Sequence, residues 1–223
     1  MATPTAPEPT LSVYEILWTI QGESTYVGRP CVLVRLAGCV LGCRYCDTPQ
    51  AHAAGAGRAM ALDEIVRAVA ALDCPLVEIT GGEPLDQAAC PELARRLLAC
   101  DFEVLVETSG CRPIDLLPPG VVRIMDVKCP SSGVADRNDW ANLDRLTARD
   151  EVKFVIGDRA DYEWARQVVL ERALAGRCEV LFAPVYGAID PRALAEWILA
   201  DRLPVRLQVQ LHKVIWGPDA QGV

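Results

Sequence analysis

The chain has 223 residues, enough for about one domain, and at 51% hydrophobic it can bury a sizeable core. Its net charge of -8 repels polyanions on average, which sets DNA and RNA aside as partners. No run approaches the ~20 apolar residues of a membrane span, and the opening MATPTAPEPT lacks a basic–apolar signal pattern, so we expect a cytoplasmic chain with a disordered arm over 1–10 and a single domain over 11–223.

Apolar, β-rich runs occur at 13–18, 31–36, 76–80, 103–107, 121–126, 151–156, 179–183 and 206–211. Helical patterns lie between several of them, at 61–72, 91–100, 139–146, 160–175 and 191–201. Pro91 and Pro191 stand where helices would start, and Asp190 is placed as an N-cap. The Gly/Ala-rich stretch 50–60 reads as a loop. Strands alternating with helices predict an α/β fold of βα units around a parallel sheet. Five to six such units fit an incomplete, TIM-like βα barrel better than a closed eight-fold one.

In parallel α/β folds, chemistry gathers at the C-terminal ends of strands. Those ends read Thr80-Gly81-Gly82-Glu83, Glu107-Thr108-Ser109-Gly110 and Asp126-Val127-Lys128. In the last predicted strand, alternation puts Gln208, Gln210 and His212 on one face. Arg35 shares a face with Leu33, where a charge needs a partner. These faces are expected to converge on one polar cavity.

Ten cysteines in a chain without a signal peptide suggest thiols, a metal or a cluster rather than disulfides. Cys39, Cys43 and Cys46 form C-x3-C-x2-C, with Tyr45 before the last cysteine. A four-iron cluster takes one thiolate per iron. Three thiolates leave one iron open, able to bind the amino and carboxylate groups of S-adenosylmethionine and to pass an electron to its sulfonium. A tetrahedral zinc site instead needs a fourth protein ligand. His52 could supply it, so a zinc-stabilised binding module stays open at this point. Cys31, Cys74, Cys90, Cys100, Cys111, Cys129 and Cys178 show no close spacing and read as core or loop thiols.

The cysteine motif, followed by Thr80-Gly81-Gly82-Glu83-Pro84, resembles the radical S-adenosylmethionine superfamily. Further segments narrow the resemblance: Gln21-Gly22-Glu23, Cys46-Asp47-Thr48, Glu107-Thr108-Ser109-Gly110, Lys128-Cys129-Pro130 and Gln210-Leu211-His212-Lys213. Together they are similar to the 7-carboxy-7-deazaguanine synthase family, from about Tyr14 to Pro218. The resemblance implies a lyase that turns 6-carboxy-5,6,7,8-tetrahydropterin into 7-carboxy-7-deazaguanine with loss of ammonia, in 7-deazapurine (queuosine precursor) biosynthesis. It implies a [4Fe-4S] cluster on Cys39, Cys43 and Cys46, S-adenosylmethionine, Mg2+ at Thr48, a reductant such as flavodoxin or ferredoxin, and a homodimer. Tyr45, Cys46, Asp47, Gly82, Glu83, Glu107, Ser109, Asp126 and Lys128 would line the cofactor. Ile20, Gln21, Gly22, Glu23, Arg35, Thr80, His212 and Pro218 would meet the substrate.

Some residues have plainer readings. Glu107 and Asp126 could cap strand ends, and Lys153 reads as a snorkelling structural residue. Four positions depart from the family pattern. Ser24 stands where G-E-G is common, Asp126-Val127 stands where S-P is common, a glutamine common after the penultimate core strand is not matched at Ala183-Pro184-Val185, and the chain continues past Pro218. An activase that makes a glycyl radical in a partner protein shares the cysteine motif and remains the alternative enzyme.

Overall fold

A computed structural model describes residues 8–223. In chain order it contains β1 (Thr10–Ile20), β2 (Pro30–Leu36), β3 (Arg58–Ala61), α1 (Leu62–Ala70), β4 (Leu76–Gly81), α2 (Cys90–Ala99) and β5 (Glu103–Thr108). Then follow β6 (Val122–Val127), β7 (Glu151–Ile156), α3 (Arg159–Glu171), β8 (Glu179–Pro184), α4 (Pro191–Asp201), β9 (Arg206–Leu207) and α5 (Leu211–Trp216).

The strands form one open sheet in the order β3-β1-β2-β4-β5-β6-β7-β8-β9. From β2 to β9 every neighbour is parallel, while β1 runs antiparallel to both β2 and β3. β2 and β4 to β8 are the six core strands, so the sheet is an incomplete βα barrel as the alternation predicts. These strands are rich in Val, Ile and Leu because both faces are covered. Val32, Val34, Val77, Ile79, Val104, Val106 and Phe154 are all buried in one core.

Local chemistry explains where the elements start and stop. Along α1, Leu62, Ile65 and Val69 recur at helical spacing and bury one face. Asp158 caps α3 by accepting from Asp161 N at 2.8 Å. Asp190 caps α4 through Arg192 N at 2.9 Å, with Pro191 in the first turn, as the sequence predicts.

Three expectations change. The helical pattern at 139–146 becomes a 3-10 turn over Trp140–Arg145. Asn142 in it is fully buried and bonds Gly110 O, Arg112 O and Ile114 N, so its amide ties down the backbone of an earlier loop instead of riding on a helix. The loop expected at 50–60 ends in β3, where Met60 is buried and pairs with Leu11. The strand expected at 206–211 stops at Leu207. Leu211 N donates to Gly22 O at 2.9 Å, which draws the chain out of the sheet and into α5. His212 therefore lies on a helix, not on a strand face shared with Gln208 and Gln210.

Of the arm expected over 1–10, residues 1–7 lie outside the described residues. Thr10 opens β1, Pro9 O accepts from Leu62 N, and Glu8 pairs with Arg96 at 2.9 Å.

Candidate active site

Alternation along the parallel strands turns one polar face inward. β2 contributes Leu33 and Arg35, β4 Glu78 and Thr80, β5 Glu107, β6 Asp126, and β7 Lys153 and Val155. Lys128 and Ser109 follow at the strand ends. With the cysteine loop and both ends of the domain, they line a cavity of about 460 Å³. That volume falls within the ~300–1,000 Å³ usual for small-molecule sites.

The cysteine loop leaves the end of β2 and is tied down by distant segments. Cys39 N donates to His52 O at 3.0 Å, and Arg44 N to Ser132 O at 3.0 Å. Tyr45 OH donates to Val155 O on β7 at 3.1 Å. All three thiols are partly exposed and line the cavity, and no other cysteine does so. His52 Nε2 lies 3.0 Å from Cys46 Sγ. Among the described residues, however, Cys39, Cys43, Cys46 and His52 do not gather their ligand atoms within 4.8 Å of one another; Glu23, Asp47 and His212 do. Three thiols spread more widely than one ion requires, with no fourth cysteine in the cavity, fit three corners of an iron–sulfur cube. Burial pushes the Cys43 and Cys46 thiols up, so bound iron, which demands thiolate, would displace their protons.

Gly81 and Gly82 are demanded by a close approach of backbone to backbone. A Cβ on Gly82 would lie 1.9 Å from Gly38 O, and one on Gly81 would lie 2.1 Å from Leu36 O. The close approach is therefore between this turn and the backbone entering the cysteine loop, sealed by Gly82 N to Leu36 O at 2.9 Å and Glu83 N to Gly38 O at 2.8 Å. Glu83 itself is fully buried. Its carboxylate accepts from Leu85 N, Thr108 Oγ1, Ser109 N and Ser109 Oγ. It braces the turn and does not line the cavity, contrary to the expectation that it meets the cofactor.

The rest of the expected set converges. Arg35 Nε donates to Glu15 at 2.7 Å and Nη1 to Thr48 Oγ1 at 3.3 Å, and a bulge in β1 between Val13 and Glu15 sets that pair side by side. Thr48 Oγ1 in turn donates to Asp47 Oδ1 at 3.1 Å. Gln210 Nε2 bridges Glu23 Oε1 at 2.8 Å and Asp47 Oδ2 at 2.7 Å. The His212 ring packs on Gly22, where any Cβ would meet its Nδ1 at 2.1 Å. Burial pulls the His212 pKa down, which keeps the imidazole neutral at pH 7. Ile20 and Pro218 also line the cavity. Ser24, which stands where the family has glycine, adopts φ +64°, the left-handed conformation that glycine takes at no cost.

Two cavity residues were not legible as such. Lys153, expected to be a structural snorkel, is 3% exposed and faces inward. Its ammonium reaches Glu23 at 2.6 Å, Glu107, and Asp126 at 3.3 Å. Burial opposes its charge, but Asp126, Glu107 and Glu23 outweigh that and raise its pKa. Glu78 lies on the same wall, 3% exposed. Burial, reinforced by Glu107, pushes its pKa well above the carboxylate range. The usable signal was alternation, since Glu78 shares a face with Thr80, and Lys153 is in register with Asp126.

An open parallel βα sheet with a three-thiol loop at its C-terminal edge is the scaffold of an enzyme that reduces a sulfonium cofactor at an iron–sulfur cluster. Residues 33–173 match the Radical SAM superfamily model. The chain is 49% identical to the 7-carboxy-7-deazaguanine synthase of Chlorobaculum tepidum, over 97% of this chain and 99% of the relative. It is 44% identical to that of Koribacter versatilis, over 96% of this chain and all (100%) of the relative. The crystal structure of QueE from Escherichia coli superposes with a TM-score of 0.73 at 23% identity, covering 91% of this chain and 95% of that one. The chain belongs to the radical SAM superfamily and, within it, to the 7-carboxy-7-deazaguanine synthase family. Enzymes of this superfamily work with a [4Fe-4S] cluster and S-adenosylmethionine, and the thiol arrangement described above fits that pair.

Proposed function

We propose that the chain converts 6-carboxy-5,6,7,8-tetrahydropterin to 7-carboxy-7-deazaguanine and ammonia, in a step toward 7-deazapurines. The balance closes without an external oxidant, because ammonia alone separates substrate from product. One observation carries the reading: a single cavity holds the cysteine loop together with Gln21, Glu23, Arg35, Thr48 and His212. When bound, the cluster and S-adenosylmethionine supply a 5′-deoxyadenosyl radical, and that chemistry belongs to the cofactor.

The residues have separable tasks. Cys39, Cys43 and Cys46 would hold three irons of the cluster. Tyr45, Asp47, Gly82, Glu107, Ser109, Asp126 and Lys128 surround the cofactor, with Lys128 held by Asp126 at 2.7 Å. Arg35 presents its planar fork to the substrate carboxylate, and Glu23 and neutral His212 take polar edges of the ring. Thr80 donates to Glu107 at 3.1 Å and fixes the wall between them. The oxygen donors of Thr48 and Asp47 suit Mg2+, which prefers hard ligands and few of them from protein. The reductant is a small carrier of the flavodoxin or ferredoxin kind.

No described helix is long and apolar enough to cross a membrane, and we place the enzyme in the cytoplasm. We also propose a homodimer. Val214, Ile215 and Trp216 on α5 and Leu207 and Val209 beside the open β9 edge are exposed, and Val209 and Val214 line one depression, apolar surface of the kind that subunits cover.

The test is an anaerobic assay of cluster-loaded protein with the tetrahydropterin acid, with and without Mg2+. Growth of a deazaguanine chromophore with one ammonia released per turnover is expected. Protein that cleaves S-adenosylmethionine yet leaves the pterin untouched sinks the reading.

A further inference from the structure

β4 carries a carboxyl group at its centre. Val77 and Ile79 pack into the core, and Glu78 between them turns the opposite way, into the cavity. Its Oε2 accepts from Gln21 Nε2. The Gln21 amide cannot turn over, because its Oε1 accepts from Glu23 N at 3.0 Å. Glu78 Oε1 has no hydrogen-bond partner among the described residues, and it is not one of the orphaned atoms sealed from the surface. It therefore opens on the cavity. Lys153, the nearest cation, is taken up by Glu23, Glu107 and Asp126. A buried carboxyl with an idle oxygen is costly unless a ligand completes it.

The surroundings say what kind of ligand. Glu23, Gln21, Glu107 and Lys153 face Glu78, so carboxyl oxygens dominate this end of the cavity. Acceptors facing a pocket select a group rich in N–H donors, and such a donor arriving at Glu78 favours its ionised, accepting form. The pterin's 2-amino-4-oxopyrimidine edge has that character. We propose that Glu78 is a specificity-determining residue whose Oε1 accepts a hydrogen bond from the substrate's 2-amino group. This assignment rests on the pterin reading above. Gln21 then acts mainly as a positioning residue, since both ends of its amide are committed to Glu78 and to the backbone of Glu23.

The test uses cluster-loaded holoenzyme, the tetrahydropterin acid and its 2-desamino analogue. Wild type is expected to lose roughly tenfold to a hundredfold in kcat/KM on the analogue, the size of one hydrogen bond to a carboxyl group. In Glu78→Met the two substrates become equally poor, with the loss in KM. In Glu78→Gln the single amide oxygen is claimed by Gln21 Nε2, so an –NH2 faces the cavity and the discrimination is lost as in Glu78→Met. The proposal is overturned if wild type turns over both substrates equally, a result that needs no variant to fold. It is also overturned if Glu78→Met retains the wild-type ratio. Should wild type fail on the tetrahydropterin acid itself while cleaving its cofactor, the pterin reading falls instead.

Discussion

Lys153 holds the polar wall of the cavity together. Three carboxylates, from Glu23, Glu107 and Asp126, lean on one buried ammonium. Lys153→Met takes from Glu23 and Glu107 the cation they pair with and leaves Asp126 to Lys128, and breaking a buried ion pair in this way costs about 3–5 kcal/mol. Chemical denaturation of the variant should show that loss, with Glu23 and Glu107 no longer held in place for catalysis. Glu78 and Glu107 give the site a pH signature. Burial raises both, in Glu107 against the pull of Lys153. The folded state thus binds their protons more tightly than the unfolded chain, so their contribution to stability falls as pH rises from the ordinary carboxylate range through the raised values. Melting temperature should decline across that window in wild type, and Glu78→Gln should flatten the decline. A decline of unchanged slope in Glu78→Gln would assign the effect elsewhere. At Ser24, glycine removes a left-handed strain of about 1 kcal/mol. Ser24→Gly also gives up the bond from Tyr26 N to Ser24 Oγ at 3.1 Å, worth about 1 kcal/mol, so the two offset and a melting temperature close to wild type is expected.

At the scale of elements, the turn after β4 and the cysteine loop are one device. Gly82→Ala puts a methyl against Gly38 O with backbone on both sides, and overpacking of this kind costs about 1–3 kcal/mol or more. The variant should lose iron along with stability, seen as a lower iron and sulfide content after reconstitution. Full cluster loading in a stable Gly82→Ala protein would separate the turn from the loop. The core strands and four longer helices were legible because hydrophobic period reports burial directly. Sequence reading failed where a side chain competes with the backbone, as Asn142 does, or where a long-range bond redirects the chain, as Leu211 N to Gly22 O does. In the site, residues on strand ends and in the cysteine loop were legible, and all but Glu83 line the cavity. Lys153 and Glu78 were obscured because they sit mid-strand, where a charge reads as a surface or snorkelling residue until its neighbours across the sheet are known.

For the whole molecule, the open sheet leaves β9 and α5 at an edge with apolar side chains uncovered. Val214, the most exposed of the α5 group at 69%, is the natural probe. Val214→Asp should shift a dimer toward monomer in light scattering at micromolar concentration, while leaving the cluster spectrum intact. A mass equal to wild type in both would move the interface elsewhere or remove it.

The ties on the cysteine loop also constrain the enzyme's birth. Ser132 and Val155 fasten Arg44 and Tyr45 from far downstream, the second across a separation of 110 residues. At ~5–20 residues per second on the ribosome, roughly 5–20 s pass between emergence of the thiols and arrival of their fasteners. During that interval three reactive sulfurs travel on an unfinished chain, exposed to oxidants and stray metals. The loop can be fastened only once β7 has been made, and oxygen damage before that point is a separate hazard from oxygen damage to the finished enzyme.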